Sequence, residues 1–218
     1  MLEAVKPYYE HAGITIYHGN CLEILPGLKA DVVVTDPPYG VAERTARLSA
    51  GRGKLAVCND FPAIFGDDAP FDPRPWLTWP CVLWGANHYA GRLPNSPSWL
   101  VWDKREGQGQ NDNADCELAW TNLGGPARLF AHYWNGMLRA SERDQPRLHP
   151  TQKPVALMRW CLLHGNMPAG TILDPFMGSR TTLRAAKDLG RKPNGIEIEE
   201  RYCEIAAKRL AQEVLPFG

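Results

Sequence analysis

Val32-Val33-Val34-Thr35-Asp36-Pro37-Pro38-Tyr39-Gly40 is the stretch on which the fold of this chain turns. Three valines and a threonine in a row suit a buried parallel strand, because β-branched side chains pack well on a sheet covered on both faces. Asp36-Pro37-Pro38 cannot prolong that strand, since neither proline carries a backbone N–H for the ladder. A rigid tip follows, presenting an Asp and a Tyr with little chain entropy left to lose. Open α/β sheets bind ligands outside the carboxyl ends of their parallel strands, so the tip is a candidate pocket rim. Taken alone, it is equally compatible with an ordinary strand-to-loop turn that exposes a tyrosine.

The pattern returns at Thr171-Ile172-Leu173-Asp174-Pro175-Phe176-Met177-Gly178-Ser179-Arg180-Thr181-Thr182. A short apolar run again ends in Asp-Pro, and a Gly-Ser turn leads into a helix from Leu183 that Gly190 stops. Strand, tight loop and helix in this order make a nucleotide-type cofactor cradle. Asn194-Gly195-Ile196-Glu197-Ile198 then places an acid in a further short strand. Rossmann-like folds use a carboxylate in that position to accept hydrogen bonds from ribose hydroxyls.

With these residues the chain resembles the S-adenosylmethionine-dependent DNA amino-methyltransferases. Asp36 to Tyr39 matches the catalytic D-P-P-Y of that family, and Asp174 to Thr182 resembles its cofactor loop D-P-F-x-G-S-G-T-T. His149-Pro150-Thr151-Gln152-Lys153-Pro154 resembles the H-P-T-x-K-P element that precedes the loop. Catalytic motif first and cofactor motif last is the circularly permuted order of the β class. The resemblance implies a Rossmann-like, doubly wound mixed α/β sheet with an antiparallel edge, in a single domain over residues 1–218. Its catalytic half is expected over about 1–148 and its cofactor half over about 149–218, with no large separate recognition domain. One letter departs, because Arg180 stands where the family usually has glycine.

The composition is consistent with this without pointing to it. At 218 residues the chain suits one domain with a substantial core. Lys plus Arg and Asp plus Glu are both 24, so any surface for nucleic acid has to be a local patch. Six cysteines, at 21, 58, 81, 116, 161 and 203, form no CxxC pair. With no apolar run of membrane-spanning length, the expectation is a cytoplasmic protein with no membrane partner. Eight tryptophans sit mostly in apolar runs, where core packing is the default.

In chain order, Ile14 to His18 alternates as a strand, and Asn20 suits the N-cap of a short helix, Cys21 to Leu25. The segment 41–60 holds Arg44, Arg47, Arg52 and Lys54 among small residues, a composition for either a loop over DNA phosphates or solvated surface. Phe71 to Trp79 reads as a helix, and Cys81 to Trp84 and Ser98 to Trp102 as strands, with His88 a scaffold residue between them. Cys116 to Trp120 and Arg128 to Trp134 look like a strand pair joined around Gly124-Gly125-Pro126. Pro154 opens a helix from Val155 to His164, with Thr151 or Gln152 near its cap, and Glu199 to Glu213 is amphipathic.

The chemistry follows from the target. An exocyclic base amine is a poor nucleophile because its lone pair is delocalised into the ring. Two acceptors that take its protons would restore the lone pair and aim it; the Asp36 carboxylate and the Pro37 carbonyl fit that part. Pro38 stiffens the tip, and Tyr39 is expected to stack on a flipped-out base. The resemblance implies S-adenosylmethionine as cofactor, held by Asp174, Pro175, Phe176, Gly178, Ser179 and Glu197, with Thr151 and Lys153 near the methionine carboxylate and Asn20 near the adenine. No metal is implied. Double-stranded DNA is the expected partner, and a homodimer is compatible with the little room for recognition elements. Asp36 favours adenine N6, since cytosine-specific relatives more often carry Ser there; cytosine N4 and a retired, inactive relative stay open. For Arg180 a helical, outward-facing conformation is expected, the alternative being a positive φ with the side chain in the pocket.

Overall fold

The two Asp-Pro strands, far apart in sequence, lie side by side at the centre of one sheet. The computed structural model describes residues 5–40, 64–108, 114–135, 138–143, 151–178 and 180–211. In chain order the strands are β1 (Tyr9–His11), β2 (Ile14–His18), β3 (Val32–Thr35), β4 (Cys81–Trp84), β5 (Trp99–Asp103), β6 (Cys116–Thr121), β7 (Arg128–Ala131), β8 (Trp134–Asn135), β9 (Leu138–Arg139), β10 (Ile172–Asp174) and β11 (Pro193–Glu197). The helices are α1 (Cys21–Ile24), α2 (Val155–Leu162), α3 (Thr181–Asp188) and α4 (Glu200–Ala211).

Nine strands form one sheet in the order β1-β2-β11-β10-β3-β4-β6-β5-β7. The central five, β2, β11, β10, β3 and β4, are parallel. Antiparallel pairing enters on both flanks, where β1 meets β2 and where β6 joins β4 to β5. The architecture is therefore the doubly wound mixed sheet expected from the motif order.

The valine run shows why β3 is central. Val32, Val33, Val34 and Thr35 are all fully buried. Because side chains alternate across a strand, Val32 and Val34 pack with Leu157, Ala185 and Ala186 of α2 and α3, whereas Val33 packs with Leu173, Ile196, Phe71 and Trp76 on the other face. A third cluster, of Ile14, Ile16, Leu183, Cys203, Ala206 and Leu210, seats α4 beside β2.

Several expectations change. Phe71 to Trp79 is no helix: prolines 70, 73, 75 and 80 leave one 3-10 turn, Arg74–Trp76. β6 and β7 do not pair with each other; β5 lies between them, antiparallel to β6 and parallel to β7. The first backbone N–H of α2 is taken by neither Thr151 nor Gln152 but by Glu142, whose Oε2 accepts from Val155 N at 3.0 Å. Strand β1 was not anticipated. The basic segment 41–60, His149, Pro150 and Ser179 lie outside the described residues.

Candidate active site

Parallel strands that share a direction deliver their carboxyl ends to one rim. Gly19 and Asn20 after β2, Asp36 after β3, Pro175 after β10 and Glu197 at the end of β11 all line one cavity of about 410 Å³. Its far wall is the 64–76 segment, including Phe71 and Trp76. The catalytic and cofactor motifs thus face each other because β3 and β10 are neighbours, with Val32 opposite Ile172 and Val33 opposite Leu173.

One end of the cavity is aromatic. The Phe176 ring meets Phe71 edge-on at 5.7 Å and Trp76 at 5.5 Å, an apolar slot for a flat heterocycle. Glu197 closes it: Oε2 accepts from Gly178 N–H at 2.9 Å and Oε1 from Glu199 N–H at 2.9 Å. Burial pushes the Glu197 carboxyl up to about 7, although those backbone donors pull it down. Asn20 is the expected cap of α1, its Oδ1 accepting from Leu22 N–H at 3.0 Å, and it also lines the cavity. Thr151, Pro175 and Gly178 complete this part of the wall. Among the described residues, the charged side chains lining the cavity, Asp36, Asp67, Asp72, Glu197 and Glu199, are all acidic. An acidic, partly aromatic cavity with a carboxylate for ribose hydroxyls fits S-adenosylmethionine, whose sulfonium and ammonium outweigh its single carboxylate.

Two residues expected at the cofactor stand elsewhere. Asp174 is buried behind the loop and off the cavity wall; its Oδ1 accepts from Thr35 Oγ1 at 2.6 Å and from Phe176 N–H at 3.2 Å. It ties the cofactor loop to β3, and burial raises its carboxyl to about 6. Lys153 is likewise off the wall, and its ammonium is engaged by side chains of the protein. Its Nζ lies 2.6 Å from Asp36 Oδ2 and 3.0 Å from Glu117 Oε2, because a buried ammonium is drawn to the anions within reach.

Asp36 is therefore held from both sides. Tyr39 OH donates to its Oδ1 at 2.5 Å, and Lys153 Nζ also donates to the Tyr39 oxygen at 3.0 Å. Burial pushes the Asp36 carboxyl up, against the pull of Lys153. For Lys153, burial would favour the neutral amine, but Asp36 and Glu117 overturn that and hold it above its ordinary range. Burial would also raise Glu117, yet Lys153 and Lys104 bring it down to about 2. Neither Glu117 nor the partnership of Lys153 was anticipated. The available signal was an acid inside the otherwise apolar run Cys116-Glu117-Leu118-Ala119-Trp120.

Tyr39 lies flat over the turn that follows β4. Its ring stacks on His88 at 4.8 Å and 13°. Gly85 makes room for it: with φ +69, a Cβ there would sit 1.9 Å from Tyr39 Cε1. His88 is thus a scaffold residue that stacks on the motif tyrosine.

Arg180 is neither helical nor outward. It heads α3 with φ +78, its N–H donates to Met177 O at 2.7 Å, and its side chain is 3% exposed. The loop forces this, because Gly178 N–H is drawn to Glu197 and Met177 N–H to Ile196 O, leaving a tight turn to reach α3. Its Nε and Nη1 have no hydrogen-bond partner among the described residues, and burial, helped by Arg209 and Arg184, lowers its pKa to about 9. It is not on the cavity wall, so the alternative of a blocked pocket is not what the geometry shows either.

The model of the DNA methylase family, N6/N4 type, matches residues 101–208. The type II methyltransferase M.ScaI of Streptomyces caespitosus is 29% identical over 95% of this chain and 84% of its own length. The crystal structure of an M1.HpyAVI–SAM complex superposes with a TM-score of 0.54 at 25% identity, covering 91% of this chain and all of that one. The cytosine-N4-specific PvuII DNA methyltransferase shares the fold, with a TM-score of 0.58 at 14% identity over 96% of this chain and 90% of its own. Fold, cavity and relatives place the chain among the S-adenosylmethionine-dependent methyltransferases. More narrowly, residues 101–208 are similar to DNA methylases of the N6/N4 amino type, and the chain as a whole to type II DNA methyltransferases.

Proposed function

We propose that the protein methylates the N6 amine of adenine, presented as a flipped-out base from double-stranded DNA. The carrying observation is the Asp36 carboxylate on the cavity wall, with Pro37 beside it and Tyr39 OH and Lys153 fixing its orientation. Bound S-adenosylmethionine supplies an electrophilic methyl group on a sulfonium.

The residues of the chain do the rest. Asp36 and the Pro37 carbonyl each accept a hydrogen bond from the amine, which turns the nitrogen lone pair out of conjugation and toward the cavity. Tyr39 supports the base on its ring, one face of which His88 already covers. Glu197 accepts from the ribose hydroxyls, Phe176 flanks the adenine of the cofactor, and Thr151 with the loop N–H groups serves the methionine end. The barrier falls mainly through positioning, because an in-line transfer gains most from near-attack geometry. Asp36, rather than Ser, favours adenine over cytosine N4. A nucleoside digest of DNA treated with methyl-labelled cofactor tests the reading. Label in N6-methyladenine is expected; label in N4-methylcytosine would replace the base, and unlabelled DNA would remove the function altogether.

A further inference from the structure

Behind the motif lies a row of four charges of alternating sign that no sequence motif contains. Asp36 Oδ2 meets Lys153 Nζ at 2.6 Å, Lys153 Nζ meets Glu117 Oε2 at 3.0 Å, and Glu117 Oε1 meets Lys104 Nζ at 3.0 Å. The four side chains come from the tip of β3, the segment before α2, strand β6 and the turn after β5. Only the Asp36 end reaches the cavity.

We propose that Lys153 and Glu117 are positioning residues for methyl transfer, which set the aim and the charge of the Asp36 carboxylate from behind. The proposal rests on Asp36 being the acceptor of the target amine. The aim comes from two donors on different oxygens, Lys153 on Oδ2 and Tyr39 OH on Oδ1, which pin the carboxylate plane and leave its other lone pairs for the substrate. The charge comes from division. An ammonium resting on Asp36 alone would draw off the electron density that an amine proton needs. Glu117 takes a share of Lys153, and Lys104 in turn stabilises Glu117, so Asp36 keeps a counter-charge in Lys153 yet remains a strong acceptor. The other groups facing Asp36 are Tyr39, on its own tip, Asp174 at the end of β10 and Tyr89 after β4. None of these is a cation, so Lys153 is the positive partner in this neighbourhood among the described residues.

The test has two readouts on the full-length protein. The first is the titration of the Asp36 carboxyl carbon by ¹³C NMR, assigned by its loss in Asp36→Asn, in wild type, Glu117→Gln and Lys153→Met. The second is the pH profile of kcat with double-stranded DNA, alongside the Kd for S-adenosylmethionine. Glu117→Gln removes an anion that faces Asp36, so the carboxyl inflection is expected to move down, by about one pH unit. Its plateau kcat should fall several-fold while the cofactor Kd holds. Lys153→Met should move the inflection up, with the acid limb of the rate following in each case. If Lys153→Met does not fold, Glu117→Gln decides alone. An inflection that stays put or rises in Glu117→Gln overturns the proposal, as does a wild-type enzyme that methylates DNA while the rate limb of a variant ignores its shifted carboxyl. Carboxyl shifts as expected in a protein that never labels DNA would uphold the charge row and sink the functional reading instead.

Discussion

The tips of β3 and β10 are spelled alike and built differently. Each strand is buried, each ends in Asp-Pro, and the two lie side by side. Yet Asp36 takes its donors from a lysine and a phenol and faces the cavity, whereas Asp174 takes its donors from Thr35 and the Phe176 backbone and faces the interior. Burial raises both carboxyls. An Asp-Pro at a strand end is thus first a way of stopping a strand. Which of two such acids can meet a substrate is decided by what stands behind it.

The strongest way to break this comparison is to remove each acid in turn. Asp36→Ala is expected to lower kcat by about 10²- to 10³-fold while the cofactor Kd stays near wild type and the protein still melts cooperatively, at a lower temperature because Lys153 and Tyr39 OH lose a partner. Filter assays with labelled cofactor and calorimetry check this; loss of cofactor binding in a cooperatively melting variant would contradict it. Asp174→Ala should do the reverse in order of cause. It strands the buried Thr35 hydroxyl and the Phe176 N–H, costing about 1–3 kcal/mol of stability, and cofactor affinity drops because the loop loosens. Denaturant titration of the variant should show that loss first.

A change of pH separates the acid that ends β10 from the acid that ends β11 without mutation. Glu197, held at about 7, and Asp174, at about 6, bind protons more tightly in the folded protein than in the unfolded chain. Their contribution to stability therefore falls as pH rises from the unfolded values toward 6 and 7, and the unliganded protein gains stability on mild acidification from these groups. On the proposed role of Glu197, cofactor binding runs the other way, because a carboxylate that accepts from ribose hydroxyls has to be ionised. The Kd for S-adenosylmethionine should rise as pH drops below 7, by at most about tenfold per unit, and calorimetry across that range measures it.

The smallest expected effect concerns the end of the β10 loop. Arg180→Gly relieves a left-handed backbone worth roughly 1–2 kcal/mol and deletes a buried guanidinium with two unpaired nitrogens. Some of that gain is offset by the lost packing, so a net stabilisation of about 1 kcal/mol is expected with cofactor affinity within a few-fold. A destabilised variant, or one that binds cofactor far better than wild type, would show that Arg180 acts on the cavity after all.

What the sequence made legible was local. Val32 to Thr35 and Cys81 to Trp84 could be read as strands because periodicity and bounding residues are carried by neighbours. α4 could be read because Ala206 and Leu210 share a face that is buried with Ile14 and Ile16 of β2. The failures are long-range or single-residue. Gly124-Gly125-Pro126 looks like a hairpin turn, and nothing near it tells the chain to place β5 between β6 and β7. The tie of Lys153 to Tyr39 spans 114 positions, and electrostatic partners at that range leave no spacing to read. Arg180 misled because its backbone angle is imposed by hydrogen bonds of Gly178 and Met177, not by its own side chain.

The strand order also bears on how the protein is made. β2 and β3 are separated by only a short helical connection in sequence, yet in the sheet β11 and β10 lie between them, three strand spacings or roughly 14 Å across. A ribosome delivers the amino-terminal strands first, so β2 and β3 must wait apart, their inner edges unsatisfied, until the last quarter of the chain emerges to fill the slot. Such delayed, non-local pairing is slow and leaves sheet edges open to the wrong neighbour. A message broken before the codon for Glu197 therefore does not yield a weakened enzyme. It yields a catalytic tip beside a gap, and a nascent chain that needs protection from its own kind.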